Sequence, residues 1–494
     1  MYLTRNCGYL TERCIPMRRI LFTFVLLPVL LALLAPGPAV NADLSAQESP
    51  LNPSGKAFEL HPDSQGRMWV TDYNAGEILR FDPSGQKTAY SIRSALDSYP
   101  SDATPDSSGA VWWVDGSYLG RLNPSTAQIK YWYILGSSWL YGLAFDATGR
   151  VWMTDSSTGG IFMFDMSASY MCSYPTGSRA NYPVMSGKYL WSGDISNNNS
   201  RLVRLDTEQN RVDWWQLAAY STPKQVTVSS SSIWYSDYYY GELGRLEPSL
   251  SRLTTYPLGY SQYPNMLSAS GGKLWFTAQG NGLSTIGMLD PTNATGYSRT
   301  VNSGSFPVDP SCQYLDPPYE YVVETSSTSA SWPSVTYPTL TNANGLIFFQ
   351  LPNLSEPWGI NAGSDVWYVD SGRQQLARLN VAAMVTVTAC KKFDQDKNLN
   401  TTGDQISISG WEMILSIDGS DFGSKLTGSD GCAAWYLLSP GSSYAVREVT
   451  RANWQALGDT SRDFGNLSTG ASRQVTFFNW IQLEHKTYIP QVTR

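Results

Sequence analysis

Two histidines limit the acid–base chemistry available to this chain. Among its 494 residues only His61 and His485 carry an imidazole, so a serine–histidine–aspartate triad would have to use one of them. No Gly-x-Ser-x-Gly turn for a nucleophilic serine is present. His61 lies in the segment ELHPDSQG, where we expect a surface turn, and no Cys-x-x-Cys spacing suggests zinc. The sequence therefore does not indicate classical hydrolysis, and we predict no catalytic residue.

Aromatic rings beside carboxylates indicate ligand binding instead. Tyr238, Tyr239 and Tyr240 follow Asp237 directly, and Tyr131 opens a second cluster, Tyr-Trp-Tyr. Rings of this kind can contact the apolar face of a sugar while a neighbouring carboxylate accepts hydrogen bonds from hydroxyl groups. We predict that the three consecutive tyrosines bind a saccharide or peptidic ligand. The alternative is that these rings pack between structural elements.

The first 42 residues have the composition of a secretory signal peptide. Arg18 and Arg19 precede an apolar run over residues 20–34, and cleavage is expected after Ala42. An uncleaved membrane anchor is the alternative, although this run is short for a span of ~20 residues. The formal charge is -7, of which the signal segment contributes +3, leaving -10 on the remainder. An acidic secreted or cell-surface protein is a poor nucleic-acid binder, and we expect a monomer.

A five-residue pattern with a central tryptophan recurs along the chain. Successive copies are 39–43 residues apart, except for one gap of 92. The tryptophans are Trp69, Trp112, Trp152, Trp191, Trp234, Trp275 and Trp367. About eleven residues after each comes a second pattern with Arg80, Arg121, Arg204, Arg245 or Arg378, and with Met163 or Met288 in the other two copies.

This period indicates an all-β fold built from propeller blades. The chain has 41 Gly, 28 Pro and only 15% charged residues, which suits short strands joined by turns. A repeat of 40–45 residues with about four strands is typical of one blade. We predict a seven-bladed propeller over residues 43–383, with an inserted loop over one face at about 303–343. A degenerate eighth blade around Tyr321 is the alternative. Closing the ring needs a further strand for the Trp367 blade, which residues 43–56 can supply.

Six copies carry an aspartate three residues after the tryptophan. These are Asp72, Asp115, Asp155, Asp194, Asp237 and Asp370. Six equivalent carboxylates could surround a channel and bind a cation. Because aspartate at a strand end commonly accepts hydrogen bonds from turn amides, we expect that role here, and we expect the tryptophans to pack between blades.

The blades resemble the virginiamycin B lyase (streptogramin lyase) family, whose repeats read like G-x-LWFT-E followed by IGRIDP. KLWFT at Trp275 with TIGMLDP, and ELGRLEP at Arg245, are the nearest matches; NHL repeats and gluconolactonase-like propellers are more distant. The resemblance covers about 320 residues. It implies lactone ring opening by a histidine base beside magnesium. His61 does not match the family's catalytic position, so we predict a non-catalytic protein whose propeller binds a glycan, a cell-wall component or a protein. A metal-dependent lyase or lactonase is the alternative.

From residue 384 the repeat stops and a different sequence pattern begins. The stretches FDQDKNLN, ISGWEMIL and SDGCAAWYLLSPGSSYAVREV resemble the SdrD B-like and Cna B-type families of bacterial surface proteins. Asp430, Gly431, Pro440, Gly441, Tyr444 and Glu448 carry that match. The resemblance implies a prealbumin-like (Ig-like) β-sandwich over residues 384–482, used as a spacer and followed by a tail at 483–494. Some members form Lys–Asn isopeptide bonds, but the sequence identifies no lysine, acid and asparagine set here.

The same resemblance implies a calcium loop, because calcium-binding members place alternating oxygen side chains in this segment. The corresponding residues are Asp394, Asp396, Asn398, Asn400 and Asp404. Leu399 replaces the glycine of the sharp turn and Gln405 replaces the chelating glutamate. A turn-rich loop without calcium is the alternative, and any affinity should be weak.

Four cysteines remain after signal cleavage in an oxidising compartment, and they allow three pairings. Cys390 and Cys432 both lie in the C-terminal segment, so we favour a disulfide between them. Cys172 and Cys312 would then be free or paired with each other.

Overall fold

The structure is a computed structural model that describes residues 40–51, 56–93, 99–177, 179, 181–195, 199–259, 262–280, 282–341 and 346–481. Most of the predicted signal peptide, the C-terminal tail and His485 lie outside the described residues. The described part is almost entirely β-strand, with two single-turn 3₁₀ helices at Pro248–Leu250 and Val381–Ala383. No helix among the described residues is long and apolar enough to cross a membrane.

After β1 (Val40–Pro50), five successive antiparallel sheets of four consecutive strands follow. The first two are β2 (Leu60–Pro62), β3 (Met68–Asp72), β4 (Glu77–Phe81), β5 (Gln86–Ser91) and β6 (Asp102–Pro105), β7 (Val111–Asp115), β8 (Tyr118–Asn123), β9 (Gln128–Tyr133). The third and fourth are β10 (Leu140–Phe145), β11 (Val151–Asp155), β12 (Ile161–Asp165), β13 (Tyr170–Tyr174) and β14 (Val184–Ser186), β15 (Tyr189–Asp194), β16 (Arg201–Asp206), β17 (Arg211–Gln216). The fifth is β18 (Pro223–Ser229), β19 (Ser232–Asp237), β20 (Glu242–Glu247), β21 (Arg252–Pro257).

The next strands belong to one nine-stranded sheet or lie along the outside of the five sheets. First come β22 (Gln262–Ser270), β23 (Lys273–Gly280) and β24 (Leu283–Leu289). Six further strands are β25 (Tyr297–Thr300), β26 (Ser303–Pro307), β27 (Ser311–Tyr314), β28 (Tyr319–Val322), β29 (Glu324–Ser329) and β30 (Ser334–Thr341). The last are β31 (Ile347–Gln350), β32 (Pro357–Ala362), β33 (Val366–Asp370) and β34 (Gln375–Leu379). The nine-stranded order is β22-β23-β24-β31-β30-β1-β34-β33-β32.

The first strands of the successive units form a closed ring, which we call the inner ring. Contacts run from β2 to β6, β10, β14, β18, β22 and β32, and β32 contacts β2 again. The N-terminal strand completes the last unit, because Ala46–Pro50 of β1 pair antiparallel with β34. The expectation that residues near Asp43 supply this strand agrees with that pairing. Strand β1 starts at Val40, so it includes the last three residues of the predicted signal peptide.

Residues 297–341, which we call the belt, run around the outside of the sheets. Strands β25, β26, β27, β28 and β29 pair in turn with β21, β17, β13, β9 and β5, so each adds a fifth strand to one sheet. Strand β30 then pairs with both β1 and β31. The prediction of an inserted loop over one face is therefore wrong: the insertion is a chain of edge strands. Tyr321 lies in β28, the outermost strand of a five-stranded sheet.

Six hydrophobic clusters lie between neighbouring sheets, and a seventh, which contains Trp275, lies mainly between strands of the nine-stranded sheet. The repeated tryptophans lie in these seven clusters. Trp69 and Trp152 are completely buried. The arginine of the second pattern is the cross-strand neighbour of the tryptophan, as Trp69 opposite Arg80 illustrates. Its guanidinium carbon lies 5.3–5.9 Å from the ring centre in all five copies that have arginine. The motif therefore encodes packing between sheets.

The six aspartates of the repeat accept hydrogen bonds from backbone amides, as expected. The donors in five of the six copies include Lys56, Ser138, Arg179, Thr222 and Glu356, each in the segment just before the inner strand of the same sheet. Asp115 accepts from the equivalent amide, that of Tyr99. These carboxylates therefore fix how the chain enters each inner strand.

The C-terminal part has two further sheets. Their strands are β35 (Val385–Asp394), β36 (Gln405–Ser407), β37 (Glu412–Ile417), β38 (Ser420–Leu426), β39 (Cys432–Leu438), β40 (Ser443–Glu448), β41 (Trp454–Ala456), β42 (Ser461–Asn466) and β43 (Ser472–Ile481). One sheet has the order β36-β35-β43-β41 with β39 also on β35, and the other has the order β38-β37-β40-β42. A single core with Trp411 and Trp435 lies between them.

Candidate functional site

Three ionisable side chains lie together on two neighbouring strands of the inner ring. Glu59 precedes β2, His61 lies within it, and Asp102 starts β6. The Nε2 atom of His61 is 2.9 Å from Oδ1 of Asp102. Glu59 and Asp102 are each 2% exposed, whereas the His61 side chain keeps 29% of its surface accessible. The prediction that His61 is a surface turn residue is therefore wrong, because the inner ring places this imidazole between two carboxyl groups.

The surroundings of these groups change their proton affinities. Burial raises the pKa of Glu59 to about 8, although the nearby His61 opposes the shift. Burial acts against a charged imidazole, but the charge and hydrogen bonding of Asp102 outweigh it and the pKa of His61 is raised. One oxygen of Glu59, Oε1, has no hydrogen-bond partner among the described residues. A buried polar atom without a partner is costly, so it marks a place where a ligand or water can bind.

Aromatic rings extend from this cluster across the ring of sheets. The ring centres of Tyr99 and Tyr73 are 5.3 Å apart, and those of Tyr73 and Phe58 are 5.4 Å apart. Phe58 in turn packs against Trp358 at 5.2 Å. We call these residues, together with Tyr238, the aromatic arc.

Lys224 connects Tyr238 to the rest of this arc. Its Nζ lies 4.6 Å from the Trp358 ring centre and 4.1 Å from that of Tyr238. It also donates a hydrogen bond of 2.9 Å to Oδ1 of Asn265. Burial lowers the pKa of this amine to about 8. A lysine held between two rings can present its remaining N–H groups to a hydroxyl or carbonyl oxygen of a ligand.

The three predicted binding tyrosines divide into two environments. Tyr238 is half-buried and belongs to the aromatic arc, where its ring is also 5.4 Å from Tyr263. Tyr239 and Tyr240 are 56% and 46% exposed, and their ring centres are 5.1 Å apart. Tyr239 also approaches Tyr220 at 6.0 Å.

Comparison with known proteins identifies a family and several solved structures that are similar to this ring of sheets. A model of the virginiamycin B lyase family matches residues 46–308, more than half of the chain. The chain belongs to the virginiamycin B lyase family. Among curated proteins no significant match exists. The family match ends within the belt, after β26, so it includes neither the remaining belt strands nor the C-terminal domain.

Solved lyase structures share the propeller fold with this family member. Virginiamycin B lyase from Staphylococcus aureus has 19% sequence identity and a TM-score of 0.51, and a streptogramin B lyase has 17% and 0.52. A catalytically inactive histidine-to-alanine variant of the Staphylococcus aureus lyase with quinupristin has 20% and 0.51. Each match covers 68% of this chain and 98% of the other. At this identity the likeness establishes the fold alone.

Sequence reasoning missed the cluster of Glu59, His61 and Asp102, which we call the acidic cluster, although the repeats contain a signal for it. Glu59 and Asp102 each lie ten residues before the tryptophan of their copy, and His61 lies between them on the first inner strand. Aligning the copies on tryptophan would therefore have placed two carboxylates at equivalent inner positions of adjacent blades. Lys224 also lies ten residues before its tryptophan, Trp234.

The predicted calcium loop brings three carboxylates together in the C-terminal part. Oxygens of Asp394, Asp396 and Asp404 all lie within 4.8 Å of one another. The backbone N–H of Asn398 donates to Asp394 at 3.1 Å, and that of Asn400 donates to Oδ1 of Asn398 at 3.2 Å. This arrangement leaves carboxylate oxygens converging on one point, which suits a hard cation.

A second buried cluster lies between the two C-terminal sheets. Nζ of Lys391 contacts Oε2 of Glu448, and neither side chain has exposed surface. Glu448 also interacts with Asn479, which is 2% exposed and whose Oδ1 has no hydrogen-bond partner among the described residues. In the parallel pair β35–β43, Lys391 lies opposite Phe477 and Phe393 opposite Asn479, so the two side chains share one face. Sequence reasoning did not identify this set.

Both disulfides of the structure join neighbouring antiparallel strands. Cys390 pairs with Cys432, as predicted, with a Cα–Cα distance of 3.9 Å, which is shorter than the roughly 4.4–6.8 Å usual for a disulfide. Cys172 of β13 pairs with Cys312 of the belt. Two disulfides are compatible with an extracellular protein.

Proposed function

We propose that this protein is a secreted propeller that binds a saccharide-containing ligand at the aromatic arc of its inner ring. The observation that carries the proposal is the series of ring contacts from Tyr99 to Trp358, which Lys224 extends to Tyr238 by lying over both the Trp358 and the Tyr238 ring. Flat rings contact the apolar face of a sugar, while Lys224 and the unpartnered oxygen of Glu59 supply hydrogen bonds to hydroxyl groups.

The proposed architecture has seven blades. In this interpretation the nine-stranded sheet consists of two blades, β22-β23-β24-β31 and β32-β33-β34-β1, joined edge to edge by β30. Each of the other five sheets is one blade with a belt strand at its outer edge. The C-terminal sheets then form the B-type sandwich that acts as a spacer on the cell surface. Three contacts support a fixed junction: Lys273 lies over the Tyr436 ring at 4.1 Å, Asp290 interacts with Tyr436, and Leu437 packs into the propeller core.

Binding can be tested with soluble peptidoglycan fragments and a panel of oligosaccharides on the purified mature chain. We expect Lys224→Met and Tyr238→Ala to lower affinity at least about tenfold, because both remove contacts at the centre of the arc. Tyr297→Ala is the matched control, since this belt tyrosine is 63% exposed and lies on β25. Equal binding by all variants, or no binding by the unmodified protein, would refute the proposal.

A second candidate function is lactone or lyase chemistry, and the acidic cluster of the inner ring is the specific observation that favours it. His61 between Asp102 and Glu59 has the groups that general acid–base catalysis requires. In such a reaction His61 would accept a proton from the substrate and Asp102 would hold the imidazole in position. The lyase resemblance implies magnesium, which carboxylates such as these could help to hold.

Ring opening of a streptogramin B lactone with magnesium tests this second candidate. We expect turnover at background level, because the position of His61 differs from that of the family's catalytic histidine. Ring opening that disappears in His61→Ala but persists in Tyr297→Ala would establish catalysis at this cluster. Ring opening that survives His61→Ala would move the base to another residue.

For the C-terminal domain we propose an intramolecular isopeptide bond between Lys391 and Asn479. The neutral amine of Lys391 attacks Cγ of Asn479, and the bond from Cγ to the amide nitrogen breaks. Glu448 accepts the proton from the amine and returns it to the leaving nitrogen, so that one ammonia molecule is released. Burial lowers the pKa of Lys391 to about 8 although Glu448 opposes the shift, and burial raises the pKa of Glu448 although Lys391 opposes it. Both pKa shifts favour an uncharged lysine amine beside a protonated glutamate, and this reaction needs that neutral pair.

We also propose weak calcium binding by Asp394, Asp396 and Asp404, with Asn398 and Asn400 in the same loop. Titration calorimetry with millimolar calcium on the full chain should show heat that disappears in Asp396→Asn. Absence of heat in the unmodified protein would refute this site.

A further inference from the structure

The belt creates a cleft at the outer edge of the propeller, which we call the rim cleft. The cleft lies where the chain passes from β27 to β28, next to the ends of β8 and β9, and its volume is about 510 Å³. That volume falls within the range of about 300–1,000 Å³ usual for small-molecule sites. None of the residues that line the cleft belongs to the aromatic arc.

Exposed tyrosines dominate the walls of the rim cleft. Tyr314 is 78% exposed, Tyr319 is 58% exposed and Tyr133 is 48% exposed. Tyr319 stacks on Tyr131 at 5.0 Å, and Tyr118 lies 5.8 Å from Tyr131 and 5.5 Å from Tyr133, so these four rings form a connected set. Tyr314 packs against Tyr170 at 5.7 Å. Clusters of exposed rings are unusual on a soluble surface and mark binding sites.

Polar groups accompany these rings. Asp316 and Gln313 line the same cleft, and neither side chain has a hydrogen bond or ion pair within the described part of the chain. The nearby cation Lys130 is already engaged with Glu320 at 2.7 Å. A free carboxylate and amide without a free cation suit the hydroxyl groups of a neutral ligand better than an anionic one.

The walls of the cleft are held in place without a ligand. The Cys172–Cys312 disulfide fixes β27 to β13 two residues before Tyr314. The backbone N–H of Leu315 donates to the carbonyl of Ser169 at 2.9 Å, and β28 is hydrogen-bonded to β9. A preorganised aromatic surface loses little conformational entropy when it binds.

We propose that the rim cleft is a second binding site, specific for a neutral oligosaccharide whose sugar rings stack on Tyr314 and Tyr319 while Asp316 accepts hydrogen bonds from hydroxyl groups. A neutral sugar offers both features that the cleft matches, a flat apolar face and a surrounding set of hydroxyls. This site does not depend on the proposed function of the inner ring.

Calorimetry of the full chain with cellohexaose, chitohexaose and mannohexaose tests the proposal. We expect at least one of these sugars to bind, and we expect Tyr314→Ala and Tyr319→Ala each to weaken that binding tenfold or more. Asp316→Asn should weaken it less, because the amide keeps one acceptor oxygen. Since Tyr314 and Tyr319 are exposed, their replacement should leave the melting temperature unchanged, which can be measured in the same samples.

Two comparisons make the result specific to the cleft. Tyr297→Ala removes an exposed belt tyrosine outside it and should bind like the unmodified protein. The cleft variants are measured in a Lys224→Met background, which disables the aromatic arc, so that the sugar binding that remains is assigned to the rim cleft. The proposal is overturned if none of the three sugars binds, if the cleft variants bind them normally, or if only a proline-rich peptide binds the cleft.

Discussion

The propeller and the C-terminal domain each bury a carboxyl group beside a basic side chain, but they differ in access. Glu59 lies beside His61, whose side chain keeps 29% of its surface accessible. Lys391 and Glu448 have no exposed surface at all. The imidazole of the inner ring is therefore accessible from solvent, whereas the amine and carboxyl group of the C-terminal core are accessible only to neighbouring side chains.

The two disulfides show a similar contrast between the regions. Cys172–Cys312 joins residues 140 positions apart and ties the belt to a blade. Cys390–Cys432 closes a segment of 42 positions directly beside Lys391. The first organises an exposed surface, and the second reinforces a sealed core.

The largest effect is expected from replacing Glu448 in the buried cluster that it forms with Lys391 and Asn479. Glu448→Ala leaves the lysine charge buried without a partner and should lower the free energy of unfolding by about 3–5 kcal/mol. After reduction of both disulfides, the mass of the unmodified protein should be one ammonia molecule below that of its mature sequence, and the variant should keep the full mass. Lys392→Met, on the adjacent residue, is the control and should retain the mass loss. A full mass in the unmodified protein would exclude the cross-link.

The disulfides should contribute unequally. Replacing either pair by serines should cost about 2–5 kcal/mol, and the longer segment closed by Cys172–Cys312 should add about 1 kcal/mol in chain entropy. Denaturant unfolding measures both values, and proteolysis near Tyr314 should accelerate only when Cys312 is replaced. Equal proteolysis with and without this disulfide would mean that it does not hold the rim cleft in place.

Glu59 should make the stability of the propeller depend on pH. Its pKa is raised from 4.5 to about 8, so the folded protein binds the extra proton between these values and stability falls as pH rises through them. Glu59→Gln should therefore stabilise the protein by roughly 2–4 kcal/mol at pH 8 and by less than about 1 kcal/mol at pH 4.

Thermal melts of Glu59→Gln at both pH values check the sign of this effect. Glu320→Gln, in an exposed ion pair of the belt, is the control and should change stability by less than about 1 kcal/mol at either pH. A gain in Glu59→Gln that is the same at both pH values would show that the carboxyl does not titrate in this window.

The smallest effect is expected from replacing the arginine of the repeat, which lies away from both buried carboxyl groups. Arg245→Met should cost less than about 1 kcal/mol, because the chain already carries Met163 and Met288 opposite tryptophans at equivalent positions. Trp234→Ala should cost about 3–5 kcal/mol by leaving a cavity between sheets. Denaturant unfolding distinguishes the two, and similar losses would mean that the cation–π contact contributes more than expected.

The sequence by itself determined the elements that repeat. The tryptophan period predicted the sheets, their packing and the amide-binding aspartates, because each copy meets the same neighbours and local spacing is enough to specify them. The equivalent positions of Glu59 and Asp102 could have been predicted from the same period by aligning the copies on their tryptophans. The C-terminal disulfide could be predicted because both of its cysteines lie in one segment of the sequence.

Only the tertiary structure decided the belt and the buried triad of the C-terminal domain. Belt strands such as Glu324–Ser329 are exposed on both faces, so they carry no alternating apolar signal, and their partners lie far away in the chain. Lys391, Glu448 and Asn479 come from three strands that are distant in sequence. Their meeting depends on how the two sheets pack, and spacing along a single chain does not encode that packing.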